Sequence, residues 1–121
     1  MKDWRGQSVC VIGLGVSGRA AADLLLAQGA RVTAIDDADT PELRELIEPL
    51  QQRGAECHLG GHGALSDNLD LGVISPGVPP ENPIVESLRE RGIPIWSELE
   101  LGWRESPKYV GITLLNLSAS L

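Results

Sequence analysis

The sequence predicts an α/β fold, with a doubly wound and mainly parallel sheet of five to six strands in three layers. Apolar runs of strand length alternate with stretches of helical periodicity along the 121-residue chain, which is typical of βα units. A glycine-rich turn follows the first run directly, and glycines close three of the helical stretches. These observations favour one domain that can bury a core without disulfides or a structural metal.

The first βαβ unit is predicted from three consecutive segments. Residues 8–12 (SVCVI) form a nearly continuous apolar run rich in β-branched residues, as expected for a strand that is buried on both faces. A helix is predicted from residue 16 to about residue 28, with an apolar stripe of alanines and leucines and a stop at Gly29. Residues 31–36 (RVTAID) are the second strand.

The second helix begins at a clear capping signal. Thr40 is the predicted N-cap and Pro41 the first helical residue, and apolar side chains at spacings of three and four mark one face. Pro49 is expected to end or kink this helix early, because proline removes a backbone hydrogen bond. Gly54 closes the helix, and residues 56–59 form a short third strand.

Three more strands and two helices are predicted in the second half of the chain. The fourth strand covers residues 71–75, and a helix then runs from the Asn82-Pro83 pair to about residue 91. The remaining elements are a fifth strand at residues 93–96, a short helix at residues 98–104 and a sixth strand at residues 109–113.

Net charge restricts the classes of partner. Ten Lys and Arg against seventeen Asp and Glu give −7 at pH 7, which opposes binding to nucleic acid or to anionic lipid. No apolar run approaches the roughly 20 residues of a membrane-spanning helix, and the first residues lack a secretory signal. We therefore expect a cytoplasmic protein with no nucleic-acid and no membrane partner, in which Cys10 and Cys57 are free buried thiols.

A glycine turn at residues 13–18 (GLGVSG) has the form G-x-G-x-x-G between a predicted strand and a predicted helix. In a Rossmann-like fold, Gly13 allows the tight turn, Gly15 lets a phosphate approach the backbone, and Gly18 permits close packing of helix on strand. The helix N-terminus offers N–H groups to a diphosphate, to which Ser17 adds a hydroxyl. A turn that only packs the helix against the strand is the alternative.

Two carboxylates follow the second strand. Asp36 lies eighteen residues after Gly18, where a Rossmann-like fold has a carboxylate that binds ribose hydroxyls. Asp37 comes next and no arginine follows directly, which disfavours a 2′-phosphate and hence NADP. From the pattern alone, the ligand is NAD or another nucleotide diphosphate.

A second site-forming stretch, the SPGVPP segment at residues 75–80, follows the fourth strand. Pro76 and Pro79 fix its backbone, and Gly77 lets a flat group lie close to it. Because the carboxyl ends of parallel strands meet at one edge of a sheet, we expect this segment and the glycine turn to border one ligand crevice. A plain strand-to-helix turn is the alternative.

Other candidate sites have weaker signals, and no catalytic residue is predicted. Cys57, His58 and His62 are close in sequence but have no second cluster that would complete four metal ligands, so no metal site is predicted. Glu98 and Glu100 are interpreted as a solvated helix face. We expect the three tryptophans, Trp4, Trp96 and Trp103, to serve in packing rather than as a platform for a cofactor.

Four separated motifs occur in the order typical of one family. They are VIGLGVSG at the first strand and turn, ID at the second strand, SPGVPPENP after the fourth and RGIPIWSELEL around the fifth. With these motifs, residues 1–113 resemble the N-terminal domain of the Mur ligases, and most of all the members that add D-glutamate. The resemblance implies a Rossmann-like domain that binds the UDP part of UDP-MurNAc-L-alanine.

The resemblance also implies a set of ligand residues and a reaction for the whole enzyme. By this resemblance, Gly15, Val16 and Ser17 bind the diphosphate. Asp36 and Asp37 lie at the uracil and ribose end, and Ser75, Pro76 and Gly77 cover the uracil. The family activates the substrate carboxylate as an acyl phosphate with ATP and Mg²⁺. D-Glutamate then attacks the acyl phosphate to form an amide.

The end of the chain departs from the family pattern. The family's sixth strand runs into a G-T-N-G-K-[ST] loop that opens an ATP-binding central domain, whereas the tail at residues 114–121 (LLNLSASL) has no glycine and no lysine. With the central and C-terminal domains missing from this sequence, we expect the chain alone to be inactive as a ligase. The alternative function is a NAD-binding domain of an oxidoreductase or a nucleotide sensor.

Overall fold

The computed structural model describes residues 3–61, 65 and 68–105. In chain order the elements are β1 (Ser8–Ile12), α1 (Val16–Ala27), β2 (Arg31–Asp36), α2 (Pro41–Gln52), β3 (Glu56–Leu59), β4 (Leu71–Ile74), α3 (Pro83–Glu90), β5 (Ile95–Ser97) and α4 (Glu98–Glu105). The strands form one sheet in the order β3-β2-β1-β4-β5, and every neighbouring pair is parallel. The predicted doubly wound, Rossmann-like α/β fold is therefore confirmed, with five strands in the described part of the chain.

The direction of winding reverses at β1. The chain first builds outward from β1 through β2 to β3, then returns to the other side of β1 for β4 and β5. Val11 of β1 consequently pairs with Ala34 on one side and with Val73 on the other. The reversal opens a crevice beyond the carboxyl ends of β1 and β4, which is where open α/β sheets bind ligands.

Helices cover both faces of the sheet, as the three-layer prediction requires. Alternate β1 residues Val9 and Val11 belong to a core shared with α1, α2 and α4, whereas Cys10 and Ile12 belong to a second core shared with α3. Residues 9–12 of β1 are at most 2% exposed, which explains their uninterrupted apolar run. Burial of each such aliphatic side chain contributes roughly 1.5–3 kcal/mol.

Helix α2 differs from the sequence prediction at Pro49. The helix continues through Pro49 to Gln52, so the predicted early end is wrong. Pro49 is exposed and lies in the last turn, and the one N–H that it lacks would have bonded the carbonyl of Glu45, another exposed residue, so water can satisfy that carbonyl. Ile47 and Leu50 on either side of it are buried in the core, and this packing holds the last turn in helical form.

Strand β5 begins two residues later than predicted. The N–H of Ile93 donates to Leu88 and so completes the end of α3 rather than starting the strand. Pro94 has no N–H to donate, and its carbonyl accepts from Gly72 of β4 before the strand begins at Ile95. The other predicted helix and strand ends agree within one residue.

Several predictions fall outside the described residues. These are the sixth strand at residues 109–113, the tail at residues 114–121, the side chain of Trp103 and the position of His62. Among the helices that the structure describes, none has both the length and the apolar character needed to cross a bilayer.

Candidate functional site

The glycine turn is held in place by the neighbouring strand. Gly13 has φ +94°, a conformation that favours glycine, and its N–H donates to the carbonyl of Ile35 at 2.8 Å. The next N–H, that of Leu14, donates to Oδ2 of Asp36 at 2.7 Å. The turn is thereby fixed to the end of β2 before any ligand binds.

Helix α1 begins with exposed backbone donors. Gly15 is the N-cap, and within the described part of the chain no side chain caps this helix; its first turn also has no acidic residue. A Cβ on Gly15 would meet no atom within 4 Å, whereas a Cβ on Gly18 would overlap the carbonyl of Gly13. The exposed N–H groups and the positive end of the helix dipole can therefore bind an anion close to the backbone.

The SPGVPP segment lies directly against the glycine turn. Its first residue, Ser75, donates its N–H to Ile12 at 3.1 Å and accepts from the N–H of Val78 at 3.0 Å, which forms a tight turn. A Cβ on Gly13 would lie 2.9 Å from Cβ of Ser75 and 3.1 Å from a methyl of Val78. The two segments that sequence analysis predicted to border one crevice are thus in contact at Gly13.

A crevice of about 270 Å³ lies between these segments. Six of its lining residues were predicted as site residues, namely Gly13, Gly15, Asp36, Asp37, Ser75 and Gly77. The other five lining residues are Ile12, Ile35, Val78, Pro79 and Asn82, of which only Pro79 was singled out, as a residue that fixes the backbone of the SPGVPP segment. All five lie within the quoted motifs, Ile12 in VIGLGVSG, Ile35 in ID and the other three in SPGVPPENP, so the motifs were the signal that could have indicated them as lining residues.

The remaining predicted residues are not among those that line the crevice. Val16 and Ser17 are on the first turn of α1 with exposed side chains, and Val16 is 78% exposed. Pro76 is also exposed, while Gly18 is buried behind the turn. Gly18 therefore shapes the turn rather than lining the crevice.

Asp36 has two bonds that sequence reasoning missed. Besides accepting from Leu14, its carboxylate accepts from the N–H of Ala38 through Oδ1 at 2.8 Å. It therefore braces the glycine turn against the loop after β2. Its predicted contact with the ligand stays a prediction, since each carboxylate oxygen has a second lone pair that can still accept a hydrogen bond.

Glu98 contradicts its interpretation as part of a solvated face. Both carboxylate oxygens are shielded from solvent and have no hydrogen bond of regular geometry, although Oε1 comes within 3.4 Å of a Cβ built on Gly18. Burial raises the pKa of Glu98, and the nearby hydroxyls of Ser75 and Ser17 lower it by smaller amounts. Because α4 folds back against α1, this carboxylate lies beside the glycine turn, which no local pattern could have indicated.

The packing of Trp4, Trp96 and Cys10 agrees with the predictions, whereas Cys57 is less buried than predicted and the side chain of Trp103 is not described. Trp4 is buried and meets Trp96 edge to face at 6.0 Å, and Arg104 of α4 lies 4.2 Å above the Trp96 ring. Both cysteines are free; Cys10 is buried and Cys57 half-buried. Burial raises the pKa of Cys10 to about 12, so its thiol is a core group rather than a nucleophile.

Fold and crevice together define a Rossmann-like domain with its glycine turn at the reversal point of the sheet. A family model described as "Mur ligase MurD-like, N-terminal domain" matches residues 7–97. The chain belongs to this family. The resemblance to the Mur ligases that the motifs indicated is thereby confirmed.

Relatives include several proteins named UDP-N-acetylmuramoylalanine--D-glutamate ligase. The protein from Frankia casuarinae is 48% identical over 101 residues, which are 84% of this chain and 21% of that protein. The protein from Koribacter versatilis is 44% identical, over 89% of this chain and 24% of that protein. The protein from Streptomyces avermitilis is 38% identical, over 86% of this chain and 22% of that protein. The chain thus spans between a fifth and a quarter of these relatives' length.

A solved structure of SirC, precorrin-2 dehydrogenase, is similar in fold. The match covers 78% of this chain and 46% of the SirC chain. Its TM-score is 0.50 and the sequence identity is 18%. At this identity the likeness extends to the fold alone.

Proposed function

We propose that the chain is the UDP-binding domain of a D-glutamate-adding Mur ligase and binds the UDP part of UDP-MurNAc-L-alanine. The observation that supports this most is the contact between the glycine turn and the SPGVPP segment in a member of the MurD-like family. One segment offers backbone donors for a diphosphate, and the other offers a rigid, flat surface for a base.

Each part of the crevice suits a different part of this ligand. The diphosphate binds at Gly15, Val16 and Ser17, where the helix N-terminus supplies N–H groups and Ser17 a hydroxyl. Asp36 and Asp37 bind at the ribose and uracil end, since uracil has an N3–H that a carboxylate accepts. The uracil ring lies against the SPGVPP segment, with Ser75, Pro76 and Gly77 as its cover.

The reaction belongs to the whole ligase, a cytoplasmic enzyme of peptidoglycan precursor synthesis. Residues 1–113 form its nucleotide-binding domain, and the domains that hold ATP and Mg²⁺ lie outside this chain. The chain's own role is to anchor the substrate by its nucleotide end. No group in the described crevice is assigned a catalytic part, and the isolated chain is inactive as a ligase.

Calorimetric titration of the chain with UDP-MurNAc-L-alanine, UDP and NAD tests this function. We expect saturable binding of both uridine ligands and much weaker binding of NAD. Ser17→Ala should weaken uridine binding about tenfold, because a hydroxyl bond to a charged phosphate is lost. Ser87→Ala on α3 makes the same chemical change away from the crevice and should leave binding unchanged. Preferential binding of NAD would contradict the proposal.

A further inference from the structure

Glu98 lies beside the glycine turn, where α4 packs against α1. It is the first residue of α4, directly after β5, and α4 packs against α1. Its carboxylate is near the hydroxyls of Ser17 on α1 and Ser75 after β4. Both of its oxygens are shielded from solvent without a hydrogen-bond partner, and Oε1 is 3.4 Å from a Cβ built on Gly18, so the carboxylate lies against the glycine turn.

The direction of the Ser17 and Ser75 hydroxyls depends on whether Glu98 is ionised or protonated. A serine hydroxyl has a single proton to donate. When Glu98 is ionised, its oxygens can only accept, so they draw the Ser17 and Ser75 protons inward. When Glu98 is protonated, it can donate to a serine oxygen, and the Ser17 proton is released toward an anion at the helix N-terminus.

Among the charged groups near Glu98, its own carboxylate is the group whose protonation we expect to change with pH. On α1 the titratable side chains are Arg19 and Asp23, whereas β4 and β5 have none. On α4, Arg104 lies 3.7 Å from Glu100. The pKa of Glu98 reflects burial first and the two hydroxyls second, with no charged side chain among the causes. A diphosphate at the glycine turn would add a negative charge nearby and favour protonation further.

We propose that Glu98 is a positioning residue that sets the direction of the Ser17 and Ser75 hydroxyls, and that its protonation accompanies binding of a nucleotide diphosphate. This inference rests on the proposed function. It makes the crevice a proton-linked anion site, in which the ligand binds more tightly as the pH falls. The carboxylate acts through the two serines and does not itself contact the ligand.

Titration with UDP-MurNAc-L-alanine from about pH 8 to about pH 5 tests the linkage. The diphosphate of this ligand is esterified at both ends and does not titrate in that range. We expect affinity to rise toward lower pH, by at most about tenfold per unit for one proton. Calorimetry in two buffers with different ionisation enthalpies should show uptake of up to one proton.

Two variants of the same helix separate this mechanism from a general charge effect. Glu98→Gln keeps the shape and supplies an amide donor, so affinity at about pH 8 should approach the wild-type value at about pH 5, without pH dependence. Glu100→Gln removes the same charge two residues away and should retain the wild-type pH profile. A wild-type profile in Glu98→Gln, or binding without proton uptake in the native chain, would overturn the inference while leaving the proposed function intact.

A measurement without ligand distinguishes failure of the inference from failure of the function. In the free chain, the NMR titration of the Glu98 carboxyl carbon should coincide with shifts of the Ser17 and Ser75 amides, and these shifts should vanish in Glu98→Gln. Uncoupled titrations would overturn the inference whatever the ligand does. Coupled titrations without any binding of UDP-MurNAc-L-alanine would support the positioning role and contradict the proposed function.

Discussion

Two glycines of one turn have different physical tasks. Gly18 is required by the fold, because a Cβ there would overlap the backbone of Gly13. Gly15 is not, because its Cβ would enter open space at the crevice. We expect Gly18→Ala to lower the free energy of unfolding by about 1–3 kcal/mol. Urea denaturation measures this change.

Gly15→Ala is the matched control for that substitution. It should unfold like the native chain but bind UDP-MurNAc-L-alanine at least about tenfold more weakly, since the methyl group keeps phosphate from the backbone. Equal stability of Gly18→Ala and the native chain would show that the helix can move away from the strand. Unchanged affinity in Gly15→Ala would contradict binding of the diphosphate at this turn.

Asp36 is expected to affect stability as well as binding. Asp36→Ala leaves the N–H of Leu14 without its 2.7 Å acceptor, which should cost about 1–3 kcal/mol of unfolding free energy. Asp37→Ala removes an exposed carboxylate beside it and should change stability by less than about 0.5 kcal/mol. Thermal or urea unfolding of the two variants makes the comparison. If Asp36→Ala were as stable as Asp37→Ala, the brace between β2 and the glycine turn would contribute nothing.

Glu98 should give a pH-dependent stability of defined sign. Its folded-state pKa is raised, so its contribution to stability is fully present below the unfolded pKa of about 4.3 and is lost as the pH rises through the folded value. Glu98→Gln should therefore gain stability over the native chain between acidic and neutral pH, by less than about 1 kcal/mol because the residue as a whole is only partly buried, although its oxygens are shielded. Urea unfolding at about pH 4 and about pH 8 measures the difference. A gain in Glu100→Gln of the same size would assign it to net charge instead.

At the scale of single elements, Pro49 lowers the stability of α2, and a substitution there should raise it. Proline in a helix removes one hydrogen bond and crowds the preceding turn, and a full interior site costs about 3 kcal/mol. Pro49→Ala should raise the free energy of unfolding by about 1–2 kcal/mol, less than the full interior cost, because loss of proline also frees the unfolded chain. Gln51→Ala, in the same turn and also exposed, controls for helix propensity. A loss of stability in Pro49→Ala would mean that proline stabilises the chain mainly by restricting its unfolded state.

Elements were predictable where local signals agreed. The ends of β1 to β3 and the starts of α2 and α3 follow from apolar runs, from Thr40 and from the Asn82-Pro83 pair, and the structure shows the side chains of Thr40 and Asn82 accepting N–H bonds as N-caps. The start of β5 was missed because the end of α3 uses Ile93. Pro49 was misjudged because core packing around Leu50 outweighs local propensity.

The whole molecule explains why the site was only partly predictable. The glycine turn and the SPGVPP segment carry their own motifs, and the parallel order of β1 and β4 brings their carboxyl ends together. The brace made by Asp36 and the buried carboxylate of Glu98 depend on contacts between distant segments. Such contacts have no periodicity or spacing from which they could be inferred.

The most direct test of the proposed site is amide NMR mapping of the chain with UDP-MurNAc-L-alanine, with NAD as the comparison. We predict saturable shifts concentrated in the glycine turn, at residues 36–38 and in the SPGVPP segment, with small or no shifts from NAD. Shifts concentrated elsewhere, such as around the separate cavity at Arg44 and Cys57, would contradict the proposed site. A larger response to NAD than to the uridine ligand would contradict the proposed function.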